Sequence, residues 1–456
     1  MPSFSVGAGS LGGPFFSSIG AATIPVMNAL VLAVDRWHAG FVGAYGNTWI
    51  ETPWVDRWAA EGCVFDQYLI DSPRLETLYR SYWHGLHAMT DASPGGADPS
   101  LADQLAESGV HTALVTDEPA VRSHALATGF AERIELPGPA AEGPAEAVEL
   151  THLGTCFARL VEWLETAPQP FLAWCHWRAF GQVWDAPFEW RARWVEPGDP
   201  EPTAEVRVPC RHLEKDYDPD ELLVISYAYA AQAVVLDSCL GALAELLETT
   251  SLGRRTLVVL LSVRGFPLGE HRRVGSVDDA LYGELVQVPL IIRPPEDAQA
   301  LRAQVLVQPP DLWATLLDWW GLARRSGPTC AASLLPVVRD QARLPPALPM
   351  GPPGPARWPG AEEQPPASLA GRHRVCLTDG AAQKAIRTPA WYLRHDGNAE
   401  LFVKPDDRWE ANNVADRCPQ VVEELRAALA EHENYLRAGC RGNLSPLGDV
   451  LVHGIE

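Results

Sequence analysis

The stretch NALVLAVDRWHAGFVGAYG, Asn28 to Gly46, decides the fold. It opens on a continuous apolar run, Ala29 to Val34, ends that run on Asp35, and then enters a loop with Gly40, Gly43 and Gly46. A run this short, rich in Val and Leu, predicts a strand buried on both faces, as in a parallel sheet. Ligands of such sheets sit beyond the carboxyl ends of the strands, so Asp35 stands where a site would begin. Capping of the following turn is the competing role for that carboxylate.

Outward from this strand, Thr52-Pro53 predicts a helix start, with Trp54, Trp58 and Ala59 on one face and a stop at Gly62. A second strand is expected over Cys63 to Ile70, a helix over Leu75 to Met89, a helix over Leu101 to Gly109 and a strand over Thr112 to Val115. Strands and helices in alternation indicate an α/β sheet. The pattern continues with a helix over Ala145 to Thr166, a strand over Phe171 to Cys175, a long helix over Tyr227 to Leu247, strands at Thr256 to Leu261 and Val286 to Ile292, and a helix at Asp311 to Trp320. A tract of Pro and small residues then reads as a linker, followed by four short strands at hairpin spacing and a helix over Pro419 to Leu436. The expected organisation is an N-terminal extension (1–27), an α/β domain (28–325), a Pro-rich linker (326–370) and a small α+β domain (371–456).

A length of 456 residues suffices for such a core without staples. The formal charge of -22 and pI near 5.0 argue against nucleic acid or an anionic membrane surface as partner, because phosphates would be repelled. Nine cysteines are scattered without a CxxC pair, so no zinc ribbon or dithiol motif is offered, and several read as small buried residues. The first 27 residues lack a basic n-region and no apolar stretch approaches 18 residues, which gives the expectation of a cytoplasmic protein.

The order of these pieces resembles the sulfatase family of the alkaline phosphatase superfamily. The resemblance rests on Ala29 to Asp35, GAYGN (Gly43 to Asn47), TPWVDRWAAEGCVFDQYL (Thr52 to Leu69), LGEH (Leu268 to His271), VPLII (Val288 to Ile292) and DLWATLLDWWGL (Asp311 to Leu322). The closing stretches AIRTPAWYLR and ELFVKPDDRWEANNVAD extend it nearly to the end of the chain. It implies a mixed, mostly parallel sheet sandwiched by helices, with a C-terminal antiparallel sheet. It also implies hydrolysis of sulfate esters by a formylglycine made from Cys or Ser, aided by calcium held on carboxylates and by lysines and histidines around the sulfate. A hard cation and fixed positive charges suit that chemistry, because they offset charge that builds in the transition state.

This chain departs from the pattern at nearly every such position. Leu75 stands at the nucleophile, ten residues before the Gly85 that closes the helix, and Thr77 is the nearest hydroxyl. The acid pair after the first strand reads Asp35-Arg36, and the second half of the metal site reads Ser262-Val263-Arg264-Gly265. Asp35 is thus the one retained ligand position, and the calcium site is expected to be lost. The sulfate-binding Lys and His are replaced by Thr116-Asp117-Glu118-Pro119, the Pro-His before Asp185 by Phe180-Gly181, and the late lysine by the Asp278-Asp279 region.

The expectation is a degenerate, catalytically inactive sulfatase-like protein acting in binding or regulation, without a cofactor; the alternative is an active sulfuric or phosphoric ester hydrolase with an atypical site. Two roles are open for the arginines. Arg36, Arg264 and Arg80 can form a pocket for a sulfated or phosphorylated ligand, since guanidinium forks suit oxyanions, or one guanidinium can neutralise Asp35 as a structural ion pair. A protein partner is the other class of ligand left open.

Overall fold

The computed structural model describes residues 27–91, 99–295, 300–324, 329–339, 369 and 371–455. The expected N-terminal extension, except its last residue, and most of the expected linker lie outside the described residues.

Strand β1 (Asn28–Val34) lies inside an eight-stranded sheet, and each of its residues is buried. Helix α1 (Pro53–Ala60) starts where Thr52-Pro53 predicts, but the Thr52 hydroxyl caps nothing in the helix. It accepts the Gly43 N–H at 3.0 Å and so ties the Gly-rich loop to the helix start. Strand β2 (Cys63–Phe65) is shorter than the apolar run, because Tyr68 and Leu69 leave it for single bridges to Val307 and Gln287. Helix α2 (Leu75–His84) stops at Gly85, whose φ of 71° is left-handed, so the expected continuation to Met89 is a turn.

The alternation continues through α3 (Leu101–Glu107), β3 (His111–Thr116), α4 (Pro119–Arg122), β4 (Glu132–Glu135) and α5 (His152–Leu164). Helix α5 begins at His152 rather than Ala145, because the Thr151 hydroxyl caps it there through the Gly154 N–H. Next come β5 (Phe171–Trp177), α6 (Phe188–Arg191), β6 (Arg211–His212), α7 (Pro219–Thr249), β7 (Thr256–Ser262), β8 (Arg273–Val274), α8 (Gly283–Val286), β9 (Leu290–Arg293), β10 (Leu301–Ala303) and α9 (Pro309–Trp319). Among the described residues, α7 alone is long and apolar enough to span a membrane, a length the apolar runs of the sequence did not suggest. Most of it is buried in the fold, and a helix apolar on all sides fits a core position.

The sheet order is β10-β2-β9-β7-β1-β5-β3-β4, with β9 running against both of its neighbours and all other pairs parallel. Alternate residues of β1 feed two cores. Ala29, Val31 and Ala33 pack with α2, α3 and α9, while Leu30, Leu32 and Val34 pack with α1, α5 and α7. Full burial of each such Leu or Val contributes roughly 1.5–3 kcal/mol, which is why this strand has no polar alternation.

The tail sheet β11-β12-β13-β14 (Val375–Thr378, Lys384–Arg387, Trp391–His395, Ala399–Val403) is antiparallel throughout. Its period of two splits it between cores: Val375, Leu377, Ala385, Tyr392 and Phe402 join the main core, and Cys376, Ile386, Leu393 and Leu401 pack under α11 (Pro419–Arg437). Within the tract read as linker, Leu335–Val338 forms α10 and packs into the main core with Ala331, Ala332 and Leu334. Cys330 and Cys440 form a disulfide that closes 110 residues of sequence. A final short helix, α12 (Asp449–His453), follows α11.

Candidate functional site

The site lies at the carboxyl ends of β5, β1 and β7. Ladder pairing runs one step past the strands: the Asp35 N–H donates to Trp177 O and the Val263 N–H to Val34 O, each at 2.9 Å. Asp35 is thereby fixed between two neighbouring strand ends, with 2% of its surface exposed. Ser262 fastens the adjoining loops, since its hydroxyl accepts the Trp37 N–H and donates to Arg264 O at 2.8 Å.

Arg264 reaches across this gap to the Asp35 carboxylate. Its Nε donates to Oδ1 at 3.0 Å and its Nη2 to Oδ2 at 2.5 Å, a two-pronged pair buried on both sides. The remaining Nη1 donates to Asp278 Oδ1 at 3.0 Å and reaches Pro73 O, just before α2, at 3.4 Å. Arg36 enters from the other side with a left-handed φ of 64°, an uncommon conformation for a residue with a Cβ. Its Nη1 donates to Val277 O at 2.9 Å, its Nη2 pairs with the same Asp278 oxygen, and its Nε lies 4.0 Å from Asp35. The Tyr229 hydroxyl holds this turn by donating to Arg36 O and accepting the His38 N–H. Gly181 lines the Arg36 stem, and a Cβ there would stand 3.0 Å from Arg36 Cγ.

Two guanidinium groups and two carboxylates thus form one ring of zero formal charge. Burial pushes the Asp35 pKa up, but the charge and hydrogen bonds of Arg264, with Arg36 and His176 beside it, outweigh burial and leave it below the usual carboxylate range. Burial works against the Arg264 charge too, and Asp35 and Asp278 more than offset it, so its pKa is raised. Arg36 goes the other way, because burial and the Arg264 charge exceed the help of Asp35 and Asp278.

Of the residues singled out from the sequence, Asp35, Arg36 and Arg264 meet. Arg80 does not join them: its Nη2 donates to His87, Ala88 and Thr90 carbonyls at 3.2–3.4 Å and closes the turn after α2. Leu75 begins α2 as a half-buried hydrocarbon packed on the main core. Thr77 is half-buried on the same helix, where its carbonyl accepts the Ser81 hydroxyl. Asp278, singled out in the sequence only as a departure from the expected lysine, is the fourth member, which sequence reasoning did not join to the other three. The signal was there: an acid stands where a lysine was expected, opposite two arginines that stand where acids and amides were expected. Asp279 turns outward to Arg273.

Beside the ring, His176 on β5 is fully buried and its Nδ1 meets the Tyr79 hydroxyl at 2.5 Å. Beyond it, Asp117 at the end of β3 accepts the Arg178 N–H at 2.8 Å and contacts His152 Nε2 at 2.7 Å. Cys175, whose neighbour is His176, points into the opposite core, so the two do not form a reactive pair. His87 bonds Cys376 O and the Met89 N–H and clamps the tail sheet. Trp177 and Trp184 are buried, the latter bonded to Phe180 O, while Trp190 carries Arg193 over its ring.

The Sulfatase family model matches residues 27–322. The chain belongs to the sulfatase family.

Arylsulfatase K of Gallus gallus is 26% identical to this sulfatase-family chain over 231 residues, which are 48% of the chain and 39% of that relative. The chain therefore matches about two-fifths of the length of that curated relative. The phosphonate monoester hydrolase of Agrobacterium radiobacter superposes with a TM-score of 0.68 at 17% identity, covering 90% of this chain and 95% of the other. A protein solved with its substrate D-glucosamine-2-N,6-O-disulfate gives 0.66 at 19% identity, covering 93% and 100%. At these identities the structural likeness speaks for the fold, a mixed sheet between helices with an antiparallel tail sheet.

The sulfatase fold implies a divalent cation at this strand end, and the donors around Asp35 do not fit one. Calcium takes six to eight oxygen ligands. Both Asp35 oxygens are engaged by Arg264, one Asp278 oxygen is shared by two guanidinium groups, and guanidinium donates only.

Proposed function

We propose that this sulfatase-family protein no longer hydrolyses sulfate or phosphate esters and works as a binding protein. One observation carries the reading: Arg264 lies across the Asp35 carboxylate and, with Arg36 and Asp278, occupies the strand end with a self-neutralised ring. The half-buried hydrocarbon of Leu75 at the nucleophile position supports it, since an alkyl group cannot become an aldehyde hydrate.

The ring also bears on the ligand. Arg36 and Arg264 are spent on carboxylates, which favours the structural ion pair over an oxyanion pocket at that spot. The neighbouring cleft, about 260 Å³ between the main sheet and the tail, supports an anionic ligand better. Arg302, Arg387, Lys404 and Arg408 line it with the exposed Trp409; Arg302 is paired with Asp66 and Lys404 with Glu410, so among the described residues Arg387 and Arg408 are the lining cations not held by a carboxylate. A sulfated or phosphorylated sugar has the charge and the ring face that such a wall recognises.

The test is elemental analysis of the purified full chain alongside turnover of an aryl sulfate and an aryl phosphate with added calcium, magnesium, manganese or zinc. The expected result is no turnover under any of these conditions and no calcium retained in stoichiometric amount. Turnover that follows a bound metal and survives Arg264→Ala would overturn the reading.

A further inference from the structure

Outside the ring, a second cluster brings together the donor types that bind a transition metal. Asp117 directly follows β3, and His152 and Cys156 lie four apart on α5, hence on one face of that helix. One donor atom from each lies within 4.8 Å of the others. His152 Nε2 is 2.7 Å from Asp117 Oδ2 and 3.7 Å from Cys156 Sγ. In a tetrahedral zinc site with bonds near 2.0–2.3 Å, neighbouring donor atoms stand about 3.3–3.6 Å apart, so small side-chain shifts suffice.

Behind these donors, Asp185 fixes the start of α5. It is 2% exposed, and its Oδ2 accepts the His152 backbone N–H at 2.7 Å.

We propose that Asp117, His152 and Cys156, with a solvent molecule as fourth ligand, form a site for a zinc-class divalent ion. A thiolate and a neutral imidazole select a borderline-soft ion over calcium or magnesium. With Asp117, Asp185 and the thiolate ionised and Arg178 beside Asp117, a 2+ ion brings the local charge to zero. Binding releases the thiol proton, moves the imidazole proton of His152 from Nε2 to Nδ1, and replaces the His152–Asp117 hydrogen bond by two metal bonds, with no change of oxidation state. The ion would tie the end of β3 to the first turns of α5 beside the Asp35 ring. None of its ligands belongs to that ring, so the outcome is independent of whether hydrolysis survives.

The experiment titrates the chelator-treated full chain with cobalt(II), then zinc. One equivalent of cobalt should give a thiolate-to-metal charge-transfer band in the near ultraviolet and intense tetrahedral bands in the visible, both erased by zinc. Cys156→Ser should abolish the charge-transfer band, His152→Gln should weaken binding at least tenfold, and Cys210→Ser, at the exposed cysteine, should change nothing. Absence of the bands in the native chain, their persistence in Cys156→Ser, or their loss in Cys210→Ser would each overturn the proposal. If Cys156→Ser does not fold by circular dichroism, Asp117→Asn keeps the thiol and must weaken cobalt binding at least tenfold; unchanged affinity there would also overturn it.

Discussion

Arg264 grips Asp35 with two parallel N–H···O bonds, and neither side chain is more than 8% exposed. Removing one member of such a buried pair strands the other. Arg264→Ala should lower unfolding free energy by about 3–5 kcal/mol, and adding Asp35→Asn should recover a large part of that loss. Urea unfolding of both variants checks this, and equal losses in the single and double variants would contradict it.

Glu270 of the LGEH stretch is paired with His38 at 3.3 Å. Burial alone would raise its pKa, but the hydrogen bond and charge of His38 and the Leu268 N–H win and hold it down to about 2. A carboxyl depressed in this way stabilises the fold fully above about pH 4.5, and the contribution disappears as pH falls toward 2. Glu270→Gln should therefore cost up to about 3 kcal/mol at neutral pH and flatten the acid limb of stability below pH 4.5. An unchanged acid limb would show that His38 does not hold this carboxylate.

Gly85 ends α2 in the left-handed region, and a Cβ there would stand 2.5 Å from the buried Trp313 ring. Gly85→Ala combines a backbone penalty with a core clash and should destabilise by roughly 2–5 kcal/mol. Thermal melts against Gly109→Ala, also at positive φ but with open space around it, separate the clash from the backbone term.

The Cys330–Cys440 bridge closes a long loop between the segment before α10 and the end of α11. Replacing both cysteines by Ser should cost about 2–5 kcal/mol, chiefly by freeing the unfolded chain. Reduction of the native protein should shift its melting point in the same direction, and no shift would show that the bridge stabilises nothing.

The strands that build the site were legible because burial on both faces leaves a bare apolar run. Asp35 and both arginines could be picked out by their place after β1 and β7. Their connectivity could not, since Asp278 lies on a loop whose course depends on long-range packing. Arg80 was misplaced for a related reason: it lies five residues into α2 from Leu75, and the helix turns it to the carbonyls that follow Gly85. The pairing of Cys330 with Cys440 carries no local spacing signal. Helix α10 is hidden because Pro and Ala dominate its surroundings while its contacts are all tertiary.

The cation that Arg264 supplies is carried by the chain itself. A borrowed ion stabilises its site only as far as its concentration exceeds its dissociation constant, and the cleft then tracks the ionic state of the surroundings. A tethered guanidinium has no such dependence. On the proposed reading, the Asp35 end of the cleft is complete once the polypeptide has folded, in calcium-poor and calcium-rich fluids alike, and a chelator would have nothing there to remove.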